Sequence, residues 1–134
     1  MRNKSVIIEA KDIGLAIELI ELGARLPRVQ AWVEGVRLLV RNFGREVYVR
    51  GNCDQAPFSL ASMLRGAAKW MMDLTDEANR EWAERLLDHC AEAGTQFTRV
   101  MAATGAHMVS GGDSPAGPDL VSPKLYRAFA QPWE

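Results

Sequence analysis

The feature that most constrains this chain is a change of hydrophobic period that occurs twice. Glu46-Val47-Tyr48-Val49-Arg50 is rich in β-branched residues and reads as a short strand of period two, closed by Gly51-Asn52. Ala106–Ser110 reads as a second strand, broken by Gly111-Gly112-Asp113. Between them lie roughly fifty residues of helical pattern, too long for a hairpin, so the two strands are expected to run parallel with a right-handed crossover.

The helical stretches carry recognisable starts and stops. A first helix is expected from Ile13, with Ile13, Ala16, Ile17 and Ile20 on one face, Asp12 as cap and Gly23 as stop. Val6–Ile8 is a short strand or an apolar strap. Pro27 opens a clearer helix whose stripe runs Val29, Trp32, Val33, Val36, Leu39, Val40 and Phe43, ending at Gly44. After the first strand come short helices over about Phe58–Leu64 and Gly66–Leu74. Thr75 or Asp76 then caps the longest helix, to about Thr104, with Trp82, Leu86, Cys90, Ala93, Phe97, Val100 and Met101 as its apolar stripe. Ser122-Pro123 is a side-chain cap followed by proline at the first helical position, which starts a last helix through Leu125, Tyr126 and Phe129.

The fold expected is therefore α/β. Residues 1–45 form a helical N-terminal part and 46–134 two βα units, within a single domain. A closed (β/α)8 barrel needs eight such units and roughly 250 residues. With 134 residues, this chain has the makings of a partial TIM-barrel with two to three parallel strands.

Composition narrows the function classes. Sixteen Lys+Arg against seventeen Asp+Glu give a net charge of -1, without the basic excess of a nucleic-acid binder. No apolar run is long enough for a secretory signal or a membrane span, and two cysteines cannot build a disulfide framework, so a cytoplasmic location is expected.

Parallel strands of α/β proteins place their sites at the C-terminal ends. Gly51-Asn52-Cys53-Asp54 and Ser110-Gly111-Gly112-Asp113-Ser114 would converge on one rim, with Asp119 and His107 nearby. The tips after Val49 and Val109 are expected side by side. The same residue types serve ordinary turns, and Asp54 is also placed to cap the helix near Phe58, so both uses stay open. Asp113→Ala is expected to remove ligand binding with little loss of folding. Cys53, His89, Cys90 and His107 match no zinc spacing, and Cys90 lies on the apolar stripe. No metal site is expected from this chain alone.

Two segments carry a resemblance: GNCDQAPFSLASMLRG at 51–66 and GAHMVSGGDSPAGPDLVSPKLYRAFAQPW at 105–133. They resemble the uroporphyrinogen decarboxylase superfamily, which includes the decarboxylase of haem biosynthesis and the cobalamin-linked methyltransferases. The family-like elements are Ala56-Pro57-Phe58-Ser59-Leu60, the Asp113-Ser114 loop, Ser122-Pro123, Tyr126 and Phe129. Pro118-Asp119-Leu120-Val121-Ser122-Pro123 is similar to the Asp-Leu-Ile-Ser-Pro of the methylcobalamin:coenzyme M methyltransferase-like branch. Met63 stands where the decarboxylases carry a substrate-contacting tyrosine, and Ser114 where they carry a serine that binds a substrate carboxylate.

The resemblance implies a (β/α)8 barrel of which this chain is the central part. It implies a rim of Asn52, Asp54, Phe58, Asp113, Ser114 and Asp119 that binds a small-molecule or corrinoid-protein substrate. Zinc and methylcobalamin are the implied cofactors; the methyltransferases' His-x-Cys and later Cys ligands would lie beyond Glu134, and the decarboxylases' N-terminal arginines and early-strand aspartate have no counterpart in residues 1–45. Three functions remain open: part of a corrinoid-dependent methyltransferase, a tetrapyrrole decarboxylase (a lyase), or a non-catalytic fragment that self-associates. The partner would be a second copy or a complementing barrel half.

Overall fold

The computed structural model describes residues 27–134. The strand or strap expected at Val6–Ile8 and the helix expected from Ile13 lie outside the described residues. Helix α1 spans Pro27–Phe43, strand β1 Arg50–Gln55, α2 Pro57–Arg65 and α3 Ala67–Asp73. A 3-10 turn at Glu77–Asn79 leads into α4, Arg80–Ala102, followed by β2 at Met108–Gly112. A second 3-10 turn, Ser114–Ala116, precedes α5, Pro123–Phe129, and a third covers Gln131–Trp133.

The two strands pair in parallel, as the long helical crossover requires. Their positions differ from the sequence reading. β1 begins at Arg50, where the strand had been expected to end, and β2 runs two residues further than expected, to Gly112. The reason is burial. Val47 and Tyr48 have high β propensity but are exposed and lie outside the strand ladder, whereas Val49, Gly51 and Cys53 are buried in alternation into β1. Strand propensity reports fit to a half-buried surface, and here the surface offered by α4 selects the later register. The tips of the sheet are accordingly Gln55 and Gly112, which pair across a bulge that follows Asn52↔Ser110.

Helix α4 joins two apolar clusters. On one side Phe58, Trp70, Leu86, Leu87 and Phe129 form the larger core, with Phe58 edge-on to Trp70 at 5.6 Å. On the other, Met101 meets Val33, Val36, Val49 and Cys53. Full burial of each large side chain contributes about 1.5–3 kcal/mol, so α4 is the element that both halves share. Val100, counted in the expected α4 stripe, is exposed, and so are Leu39 and Phe43 of the expected α1 stripe. α1 touches the rest along a narrow line, with Trp32 set edge-on against Phe97 at 5.4 Å.

Caps and one ion pair fix the connections. Asp76 accepts from the Ala78 amide and starts the 3-10 turn that feeds α4, one step earlier than a direct cap on the α-helix. Ser122 Oγ accepts from the Leu125 amide and starts α5 as expected. Arg65 at the end of α2 and Asp73 at the end of α3 form a largely buried ion pair, with Asn79 donating to the same carboxylate at 3.4 Å.

Gly51 is where β1 comes closest to α4: a methyl group there would lie 2.6 Å from Met101 Cγ and 3.2 Å from Val109 Cγ1. Gly51→Ala is therefore expected to cost about 1–3 kcal/mol by overpacking, read as a lower urea midpoint with an unchanged slope. An unchanged midpoint would mean that the sheet does not lie this close to the helix.

Candidate functional site

The end of β1 carries the more open of the two polar clusters. Arg50, Asn52 and Asp54 are exposed, while Gly51 and Cys53 face α4 and are buried, so Asn52 and Asp54 stand on the side of the sheet away from α4. Asp54 has φ 60, the one positive value at a non-glycine among the described residues. It sits in the register shift between Asn52 and Gln55. Bulges of this kind re-aim side chains at sheet ends. The turn is held locally: the Asp54 amide donates to Asn52 Oδ1 at 3.2 Å, and Gln55 Nε2 donates to Asp54 Oδ1 at 3.1 Å. What remains outward is one carboxylate flanked by two amides, able to accept from and donate to polar groups of a ligand.

The end of β2 is organised differently. The Asp113 carboxylate accepts from the backbone amides of Phe58 at 3.3 Å and Ser59 at 2.5 Å, so it caps α2 from the neighbouring strand. Ala56, the residue before Pro57, has no side chain that can cap. A carboxylate placed here satisfies two amides and faces the positive end of the helix dipole. Asp54 does not cap α2, contrary to one of its two expected uses, and the capping bonds of Asp113 give its carboxylate a structural use beside any ligand. The signal for it was present in the sequence as a gap, since Ala56-Pro57 starts a helix with no capping side chain of its own.

The remaining residues of the expected rim separate. Ser114 is exposed and opens the 3-10 turn after Asp113. Asp119 is exposed in the following turn, and no described hydrogen bond or ion pair ties it to the others. Phe58 is fully buried beneath Trp70; its ring is core, and only its backbone amide reaches the rim, through Asp113. His107 precedes β2 and bonds to Val49, at the opposite end of the sheet from Gln55 and Gly112.

Two clefts flank α4. One of about 460 Å³ lies between α4 and the strand ends, with Gln55, Asp113, Thr98, Arg99, Trp133 and Glu134 in its wall. The other, about 250 Å³, is more apolar and is lined by Trp32, Leu60, Met63 and Phe97 among others. The polar side of α4 that supplies Thr98 and Arg99 was not singled out in the sequence, because an isolated helix gives such residues no reason to be anything but solvated.

Among the described residues no group of three His, Cys, Asp or Glu side chains could hold a metal ion. Burial, reinforced by the charge of Asp113, pushes the Cys90 thiol up to about 12, the reverse of what a metal-bound or nucleophilic thiolate requires. Cys53 is likewise free and buried.

The sequence model of the uroporphyrinogen decarboxylase (URO-D) family matches residues 3–134. The chain belongs to that family. It is 31% identical over 107 residues to the methylcobamide:CoM methyltransferase MtaA of Methanosarcina barkeri, covering 78% of this chain and 30% of the relative. It is 28% identical over 107 residues to the methylcobamide:CoM methyltransferase MtbA of Methanosarcina acetivorans, with 80% and 30% covered. The chain thus spans less than a third of the length of these relatives. A separate match of 31 residues, 64% identical, joins 23% of the chain to 14% of the flagellar transcriptional regulator FlhC of Paraburkholderia atlantica. No solved structure matches significantly.

Two outcomes test this site. Asp113→Ala is expected to lower stability by about 1–3 kcal/mol, as for a lost helix cap that leaves two amides unsatisfied, with Asp113→Asn recovering part of it; equal urea midpoints for all three proteins would contradict the capping role. The raised Cys90 thiol binds its proton more tightly folded than unfolded, so the stability it contributes is complete below about pH 9 and is lost as pH rises towards 12. Unfolding free energy measured from pH 8 upwards should fall more steeply in the wild type than in Cys90→Ala, by up to about 1.4 kcal/mol per pH unit; parallel curves would refute it.

Proposed function

We propose that this chain forms the central portion of a corrinoid-dependent methyltransferase barrel, in which the strand ends orient the methyl acceptor or the corrinoid carrier. The observation that carries this reading is the match over most of the chain to methylcobamide:CoM methyltransferases. The open polar turn at Asn52 and Asp54 supports it, because it sits where α/β barrels bind their ligands. In this reading the Asn52–Asp54 turn contacts the substrate, and Ser114 and Asp119, which no described bond ties to it, approach from the 114–121 loop. Asp113 is a positioning residue: its two bonds to α2 hold the start of the 114–121 loop against the rim.

Zinc, which the resemblance implies for the methyltransferase branch as the activator of a thiol, does not fit the described residues, and this reading assigns no ligand to them. What this chain contributes is binding and orientation. The reaction is assigned to a cytoplasmic enzyme on the same reading.

Tetrapyrrole decarboxylation is supported only by Ser114, which falls where the decarboxylases bind a substrate carboxylate. Against it, the residue in place of their substrate-contacting tyrosine is Met63, whose side chain can neither donate a hydrogen bond nor carry charge.

The two-stranded sheet has one unpaired edge on each strand among the described residues. Such edges pair readily with other chains, which supports assembly with a second copy or with a complementing barrel half. Light scattering after size exclusion is expected to give more than one chain per particle; a stable monomer would refute obligate assembly.

The direct test is methyl transfer from methylcobalamin to coenzyme M, with zinc, by a complete barrel bearing this segment. Transfer is expected, with KM for the acceptor raised about tenfold or more in Asn52→Ala/Asp54→Ala, the loss of one or two charge-assisted hydrogen bonds. No transfer by the complete barrel, or turnover of uroporphyrinogen in its place, would overturn the reading.

A further inference from the structure

His107 makes a bond that only one of its charge states allows. Its backbone amide donates to the Val49 carbonyl at 2.9 Å, and the Val49 amide donates back to the ring at Nδ1, 3.0 Å away. Tyr48 stacks on the same ring, with centroids 5.2 Å apart, and its hydroxyl donates to the His107 carbonyl at 3.3 Å. Val49 is buried with Val33, Val36, Cys53 and Met101. The imidazole nitrogen therefore stands in for a backbone carbonyl and extends the parallel pair one step beyond Arg50↔Met108.

A ring nitrogen that accepts a hydrogen bond has no proton of its own, whereas both nitrogens of a charged imidazole are donors. Protonation of His107, whose ring is exposed, would set two donors face to face and take the acceptor from the half-buried Val49 amide. The ionisable side chain shown against the ring is Tyr48, on its face, and Arg50 follows Val49 at the start of β1. Neither is hydrogen-bonded to the ring or ion-paired with it among the described residues.

We propose that His107 is a proton-operated clasp: neutral, it closes the N-terminal end of the β1–β2 pair over the Val49 amide, and charged, it releases that end and loosens α1 from the sheet. Opening at this end leaves the rim at Gln55 and Gly112 paired, because the Ala56 amide is held separately by the Gly112 carbonyl at 2.8 Å. The clasp lies at the opposite end of the sheet from the proposed substrate rim and operates independently of methyl transfer.

The test is amide hydrogen exchange and ¹⁵N imidazole resonances of the full chain. From about pH 8 to about pH 5, the interval in which histidine side chains change charge, the protection factor of the Val49 amide is expected to fall about tenfold, while that of Ala56 holds. His107→Gln, which keeps an acceptor but does not titrate, should remove the pH dependence. His107→Phe, which keeps the stack but has no acceptor, should leave Val49 poorly protected throughout. A Val49 protection factor that does not change with pH in the wild type, or a proton found on Nδ1 at the upper pH, would overturn the proposal. Both readings come from the wild-type chain and stand even if a variant fails to fold.

Discussion

Everything at the rim of this molecule depends on one carboxylate. Asp113, immediately beyond β2, accepts from the first turn of α2, immediately beyond β1. The bond joins two segments that are more than fifty positions apart in sequence and ties the end of one βα unit to the beginning of the other. It also places a negative charge over the core, where it adds to the burial that keeps the Cys90 thiol protonated. A helix start without a cap of its own and an aspartate without a turn of its own complete each other.

That dependence explains which parts of the structure were legible in the sequence. α1, α2, α4 and α5 were readable because each announces itself locally, through proline at the first position, a 3.6-residue stripe, or a side-chain cap such as Ser122. The parallel pairing followed from the length of the crossover. The strand register did not, because Val47 and Tyr48 carry the stronger local propensity while Gly51 and Cys53 carry the burial, and only the face of α4 decides between them. Leu39 and Phe43 fit the stripe of α1 and are nevertheless exposed, since a helix pattern reports what could be buried and not how wide the contact is.

The candidate site was legible in the same uneven way. Asn52 and Asp54 were found as polar residues at a strand end, and they do form one turn, although the backbone strain at Asp54 and the bulge beneath it are visible only in three dimensions. Asp113 was found for the right position, but the first use of its carboxylate is structural. Phe58 belongs to a motif that looks like a binding motif because its neighbours are on the rim, while its own ring supports the core. In this family segment the motif residues thus divide between those that face outward and those that hold the outward ones in place.

The cross-strand cap is tested most directly by the amide spectrum of Phe58 and Ser59, followed by NMR as the solution is acidified. If Asp113 receives both bonds, the two amide resonances move together along one carboxylate titration, and Asp113→Asn abolishes the common movement. If Phe58 and Ser59 titrate independently of each other, or keep their common titration in Asp113→Asn, the strands and helices do not meet as described and the rim has no support.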